Sequence, residues 1–292
     1  MGYNGAYTAK KDERRNSGVK IGLSTAAFYG RWEVEEAAAH IGGYGAECAE
    51  VFLQTRSEYT RSFARLVRAN LGGVPCTSVH PFGTGFENEF FARSARQRAD
   101  ALDTLRHVLD AAAELGAHLY VYHGRYSPAR VELPFEPQRN AEILTFMQAE
   151  ADKRDIRIAW ENVCWCQLTT PERVREMRRL LPKIRFTLDI KQAMRARCDP
   201  MDFVDAMGPQ LANVHVCDWN RAGKLCLPGE GAFDFNALIR ALHRADYRGT
   251  MMLEPYLALV KSDGALAESV AYLKRAEARA RKSMIDENAP QE

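Results

Sequence analysis

Ile158-Ala159-Trp160-Glu161, Phe186-Thr187-Leu188-Asp189, Asn213-Val214-His215 and Met251-Met252-Leu253-Glu254 are short, largely apolar runs, each ending in a side chain able to hold a divalent metal. Each has the length and the β-branched or aromatic content of a buried parallel strand, and one helix-sized stretch separates each run from the next. Working outward, Val19 to Phe28, Ala46 to Leu53, Cys76 to Phe82 and His118 to His123 read as four earlier strands. Helical patterns fill the gaps, among them Arg93 to Leu115, Gln138 to Lys153, Glu172 to Leu181 and Phe235 to Ala245. Thr170 before Pro171 and Asp199 before Pro200 read as N-caps with proline in the first turn.

Eight strands alternating with helices predict an α/β protein built as a single (β/α)₈ TIM barrel, and 292 residues is close to the ~250 typical of one. The barrel is expected over residues 19–280, with flexible tails at 1–18 and 281–292. An open doubly wound sheet fits less well. The first strand is not followed by a G-x-G-x-x-G turn, and polar residues stand at the tips of nearly all strands rather than at one switch point. In a closed barrel those tips converge at the C-terminal face, where such proteins build their sites.

A hydrophobic content of 46% suits a large core, and 40 Lys and Arg against 38 Asp and Glu leave a formal charge of +2. That near-neutrality argues against nucleic acid or an anionic membrane as partner and favours a small polar substrate. The seven scattered cysteines do not form a disulfide framework and read as reduced thiols, Cys164, Cys166 and Cys217 included, which points to a cytoplasmic location. Residues 1–20 lack the apolar core of a signal peptide, and Ala6 breaks a myristoylation motif. No apolar run is long enough to span a membrane.

Glu161, Asp189 and Glu254 each end an apolar run, where a desolvated carboxylate is costly unless it is paired or bound to metal. Any one of them could form a structural ion pair. All three in register with His215 predict a shared site for one divalent metal ion. Three carboxylates and an imidazole suit Mn²⁺, Mg²⁺ or Co²⁺, and the histidine admits Zn²⁺. His80 and His123 end strands three and four, and substrate contact, further ligation or support behind the ligands all stay open for them. His40, His107, His118 and His243 read as core histidines. Trp32, Phe82, Trp160, Trp165 and Trp219 lie near strand tips and are candidates to stack on a sugar face.

The ordered tips Ser78-Val79-His80, Tyr122-His123-Gly124, Trp160-Glu161-Asn162, Leu188-Asp189, Val214-His215 with Asp218, and Leu253-Glu254 resemble the xylose isomerase-like TIM-barrel superfamily of sugar isomerases and epimerases, which also contains endonuclease IV. Leu227-Pro228-Gly229-Glu230-Gly231 followed by Phe233-Asp234-Phe235 is similar to a P-G-x-G-x-x-D-[FWY] stretch common there. The resemblance spans about residues 19 to 275. Its ketose 3-epimerase branch implies that Glu161, Asp189, His215 and Glu254 hold one metal, that Glu161 and Glu254 form the acid/base pair, and that Arg221 contacts substrate. One departure stands out: where the family commonly reads Asp-x-x-His, this chain reads Asp189-Ile190-Lys191-Gln192. Gln192 can hydrogen-bond a sugar hydroxyl but cannot shuttle a proton at neutral pH. The same missing histidine, and the lack of an Asp-x-His pair after strand seven, count against the three-zinc cluster of endonuclease IV.

The expected chemistry is metal-assisted removal of the carbon-bound proton beside a carbonyl of a ketose or polyol-derived sugar, giving an enediolate that is reprotonated to an epimer or isomer. Trp160, His80, His123, Gln192 and Arg221 are the expected substrate contacts. A dehydratase of the inosose or dehydroshikimate kind is the alternative that Gln192 keeps open, ahead of a DNA-repair enzyme or a non-catalytic sugar-binding protein. A homo-oligomer is compatible with all of these readings.

Overall fold

The computed structural model describes residues 18–82, 85–126 and 133–287. Eight parallel strands close on themselves: β1 Lys20–Ser24, β2 Cys48–Leu53, β3 Cys76–Pro81, β4 Leu119–Tyr122, β5 Arg157–Glu161, β6 Arg185–Asp189, β7 Leu211–Val216 and, closing the ring against β1, β10 Thr250–Leu253. Between β7 and β10 a small antiparallel hairpin, β8 Asp218–Trp219 and β9 Leu225–Cys226, stands outside the barrel sheet. The chain is thus a single (β/α)₈ barrel, as its strand pattern predicted.

Helices surround the strands: α1 Val34–Ile41, α2 Arg61–Asn70, α3 Gly85–Glu89, α4 Ala95–Leu115, α5 Pro137–Asp152, α6 Pro171–Leu180, α7 Ile190–Arg195, α8 Pro200–Met207, α9 Phe235–Arg244 and α10 Asp263–Glu287. Their sequences explain why they form and stop. Thr170 Oγ1 accepts from Arg173 N ahead of Pro171, and Asp199 Oδ1 accepts from Met201 N ahead of Pro200, so both expected caps are made. In α9, Phe235, Leu238, Ile239 and Leu242 repeat at helical spacing and are all buried. Each such side chain contributes about 1.5–3 kcal/mol on burial. Leu238→Ala would cost about 2–5 kcal/mol through the cavity it leaves.

The strand limits differ in detail from the sequence reading. β1 ends at Ser24, not at Phe28, because the Ser24 hydroxyl accepts from Ala26 N and starts a 3₁₀ turn over Thr25–Phe28. That turn packs against β2, where Thr25 Oγ1 accepts from Phe52 N. α10 runs to Glu287, so residues 281–287 continue a helix; the remaining tail residues, 1–17 and 288–292, lie outside the described residues. Among the described residues no helix is long and apolar enough to cross a membrane. His40, His107 and His118 are exposed and not part of the core, and Trp32 stacks on His40 at 4.1 Å.

Register positions the site. Asp189 pairs with His215 and His215 with Met252, which brings the tips of β6, β7 and β10 level. The ladder continues one residue past β10, with Glu254 N donating to Val216 O at 3.1 Å.

Candidate metal centre

Successive strand residues face opposite sides of a sheet. With Glu161, Asp189 and His215 turned into the barrel mouth, residues two positions earlier or later share that face. Glu50 from β2, Ser78 and His80 from β3 and Asn213 from β7 join them there, and all are buried. Trp160, next to Glu161, must point outward: it is fully buried against the helices and donates its indole N–H to His123 O at 3.2 Å.

His215 sits at the centre. Its Nε2 is 3.0 Å from Glu50 Oε2, which also accepts from Ser78 Oγ at 2.8 Å and Asn213 Nδ2 at 3.1 Å. Its Nδ1 has no hydrogen-bond partner, 3.6 Å from Glu161 Oε1 and 3.4 Å from Glu254 Oε2. An imidazole lone pair facing two carboxylates is stable only with a cation among them, either a proton on His215 or a metal ion. Without metal, burial disfavours the charged imidazole, but Glu50 and Glu254 outweigh it and raise His215 well above its usual range. Burial likewise pushes Glu161 up, and His123 and His215 reverse that, holding it well below the usual carboxylate range. Asp189 lies at about 6, lifted by burial beyond what Lys191 offsets.

The donor set fits a divalent ion. One donor atom from each of Glu161, Asp189 and His215 lies within 4.8 Å of the other two, and Glu161 Oε2, Asp189 Oδ2 and His215 Nδ1 are buried without hydrogen-bond partners. Glu254 joins through an overlapping group with His215 and Glu50. A third group, His80, His123 and Glu161, shares the same glutamate. Its two imidazoles already hydrogen-bond each other, Nε2 to Nε2 at 2.6 Å. A second ion would have to break that bond.

Two further residues were not recognised in the sequence as part of the site. Glu50 is buried inside Cys48–Leu53, and a carboxylate within six consecutive buried residues was the available signal. Lys191, 4% exposed, puts its Nζ 3.2 Å from both Asp189 Oδ2 and Glu254 Oε2, so an ammonium stands among the candidate ligands. Burial lowers its basicity, but those two carboxylates raise it well above the ordinary lysine value.

The other expected contacts divide. His80, His123 and Gln192 line the cavity above the carboxylates, as do Phe82 and Trp165. Trp32, Trp160 and Trp219 do not. Arg221 is exposed in the turn of the β8–β9 hairpin and lines no part of that cavity. Asp218 organises the following loop: its carboxylate accepts from Trp219 N, Gly229 N, Gly231 N and Phe233 N. Gly231 is required there because a Cβ would come within 2.1 Å of Asp218 Oδ1. All seven cysteines are free.

A closed parallel barrel with a buried carboxylate and histidine cluster at its C-terminal mouth defines the class of protein. The xylose isomerase-like TIM barrel family model matches residues 15–276, and the chain belongs to that family. It is 28% identical over 273 residues to the uncharacterized protein ML2432 of Mycobacterium leprae, across 84% of this chain and 91% of that one. Among solved structures it superposes on a D-tagatose 3-epimerase-like protein with a TM-score of 0.75 and 20% identity, covering 91% of this chain and all of the other. The 3-keto-D-glucoside 4-epimerase YcjR of E. coli gives 0.70 and 19%, covering 88% of this chain and 99% of that one. At these identities the two structures establish the shared fold.

Proposed function

We propose that this protein is a divalent-metal-dependent isomerase or epimerase acting on a ketose or polyol-derived sugar. The observation that carries the reading is the unpartnered His215 Nδ1 between Glu161 and Glu254, at 3.6 and 3.4 Å. Glu161, Asp189, His215 and Glu254 would hold one ion, with Mn²⁺, Mg²⁺ or Co²⁺ the best match to mostly oxygen donors. When bound, the ion supplies Lewis acidity toward a carbonyl and its neighbouring hydroxyl.

The chain's own residues do the rest. Glu161 and Glu254 open on one cavity, so one takes the proton from the carbon beside the carbonyl and the other returns a proton. His123 Nε2, 3.1 Å from Glu161 Oε2, interacts with that carboxylate electrostatically and favours its charged form. Gln192 and His80 line the same cavity and offer hydrogen bonds to substrate hydroxyls. Gln192 also motivates a second reading, a dehydratase, since no imidazole stands at that position to relay protons.

Solvent label separates the two. Metal-loaded protein is incubated in deuterated water with free ketoses, ketose phosphates, inososes and dehydroshikimate, and product mass and label position are read. Conversion without mass loss, with deuterium at one carbon, is the expected result. Loss of water would establish the dehydratase, and nicking of abasic DNA without sugar turnover would defeat both readings.

A further inference from the structure

Side chains two positions apart on a strand share a face. Arg157 opens β5 four residues before Glu161, and Arg185 opens β6 four residues before Asp189, so both turn toward the barrel axis at its N-terminal base. At about 3.3 Å per residue, that base lies roughly 13 Å below the carboxylates of the mouth. Register sets Arg185 beside Ala159, the next inward residue after Arg157, which makes the two arginines diagonal neighbours on one face. Both line a cavity of about 340 Å³, with His118 ahead of β4 and Arg248 ahead of β10. Leu119, Leu211 and Tyr247, all buried, give it an apolar wall. At its edge the Arg178 guanidinium donates to Ala206 O at 2.9 Å and lies where a Cβ on the lining residue Gly208 would fall.

Positive charge is in excess at this base. Among the described residues lining it the sole carboxylate is Asp246, which Arg248 Nη2 holds at 2.6 Å. Arg157 pairs with Asp152, which stands outside the lining. Arg185 forms no ion pair among the described residues; its Nη1 reaches the carbonyl oxygens of Lys183 and Ile184, at 3.5 and 3.4 Å. Like charges on neighbouring strands repel, and a bound anion would relieve that repulsion. Desolvation first, and the Lys20 ammonium second, make His118 less basic than an ordinary histidine, so the positive field extends to β1.

From this placement we infer that the N-terminal base of the barrel binds a small oxyanion carrying two or more negative charges, a phosphate or a polycarboxylate, between Arg157, Arg185 and Arg248. Guanidinium groups suit such a ligand because their planar donors meet its oxygens two at a time. The apolar wall strengthens the attraction by keeping water from one side of it. A cavity at the lower end of the usual ligand-pocket range sets the ligand at the scale of a small metabolite. This second site stands at the opposite end of the barrel from the metal centre and depends on no reading of it.

Pyrophosphate and citrate serve as probes, titrated by calorimetry into the full-length protein at low ionic strength, where charges are screened least, without added divalent ions. At least one should bind, and the order of the two distinguishes a phosphate site from a carboxylate site. Arg157→Gln and Arg185→Gln should each weaken the better probe about tenfold, the scale of one charged hydrogen-bonded contact. Arg185→Lys should keep part of the affinity, since the charge stays and the fork is lost. Arg96→Gln, at an exposed position on α4, should bind as the wild type does. In the wild type the His118 ring should titrate at higher pH by NMR with the better probe present, because a nearby anion favours the charged imidazole. That shift and the lysine variant carry the test if a glutamine variant fails to fold. Binding of neither probe, affinity undiminished in the two glutamine variants, or an unmoved His118 titration would overturn the inference. So would binding that disappears in the double variant Asp189→Ala, His215→Ala, which leaves the base intact and would place the anion at the mouth.

Discussion

Glu50 Oε2 lies 3.0 Å from His215 Nε2, a contact between β2 and β7 that joins residues 165 positions apart. It fixes which imidazole nitrogen carries the proton. In the neutral imidazole, with Nε2–H donated to Glu50, Nδ1 is left as a lone pair turned toward Glu161 and Glu254, the arrangement that makes histidine a metal ligand.

Glu50→Gln should therefore weaken Mn²⁺ binding by about 10–100-fold, as loss of such a partner behind a ligand does, with the four proposed ligands Glu161, Asp189, His215 and Glu254 all kept. Titration calorimetry reads this directly. Unchanged affinity would mean that His215 is oriented by Asn213 alone.

Ion stoichiometry should be about one per chain after gentle dialysis, since the donor groups overlap through Glu161 and His215 and the His80–His123 pair is already hydrogen-bonded. The double variant Asp189→Ala, His215→Ala should lose the ion. Elemental analysis giving three ions per chain, or an unchanged content in the double variant, would refute the assignment.

Glu161→Gln and Glu254→Gln keep side-chain shape but remove a base and one ligand charge. Turnover on whichever sugar the labelling panel identifies should drop by at least ~10²-fold in each. Near-normal turnover in both would remove the acid/base roles.

Lys191→Met leaves Asp189 and Glu254 without their ammonium partner, and breaking a buried pair costs on the order of 3–5 kcal/mol. The metal-free variant should melt well below the wild type. Saturating Mn²⁺ should recover much of that loss, because a divalent ion replaces the missing positive charge. A variant whose melting deficit is equal with and without metal would show that Lys191 and the ion do not act on the same carboxylates.

Glu87 on α3 is fully buried, accepts from Tyr120 OH at 2.7 Å and from His123 N at 3.3 Å, and is raised by burial from 4.5 to about 7. A carboxyl with a raised folded value stabilises the fold in its neutral form. Its contribution is full below about 4.5 and is lost as pH climbs through about 7, on the order of 3 kcal/mol in all. Denaturant melts across that range should show the decline, and Glu87→Gln should flatten it. An equal slope in the variant would assign the decline to another group.

The barrel was legible because a closed parallel sheet buries its strands on both faces, so each strand appears as an uninterrupted apolar run with a polar tip. The same logic located Glu161, Asp189, His215 and Glu254. It passed over Glu50, which interrupts its run instead of ending it, and Lys191, whose partners lie on β6 and beyond β10 and leave no trace in local spacing. Trp160 shows the converse. Proximity to Glu161 in sequence suggested proximity to substrate, but the two-residue period of a strand turns neighbours to opposite sides. Glu87 gave no signal at all, since a five-residue helix has too little periodicity to reveal which face is covered.

The ring is sealed by β10 pairing with β1, and Glu254 is the first residue past that seam. During synthesis the last carboxylate of the proposed metal centre therefore arrives with the strand that completes the cylinder. Earlier nascent lengths expose an incomplete chelator, and tight ion capture becomes a reporter of a finished barrel. A chain that stalls or is clipped before residue 254 would present to the cell a protein that has most of its mass but lacks the last carboxylate of the proposed chelator.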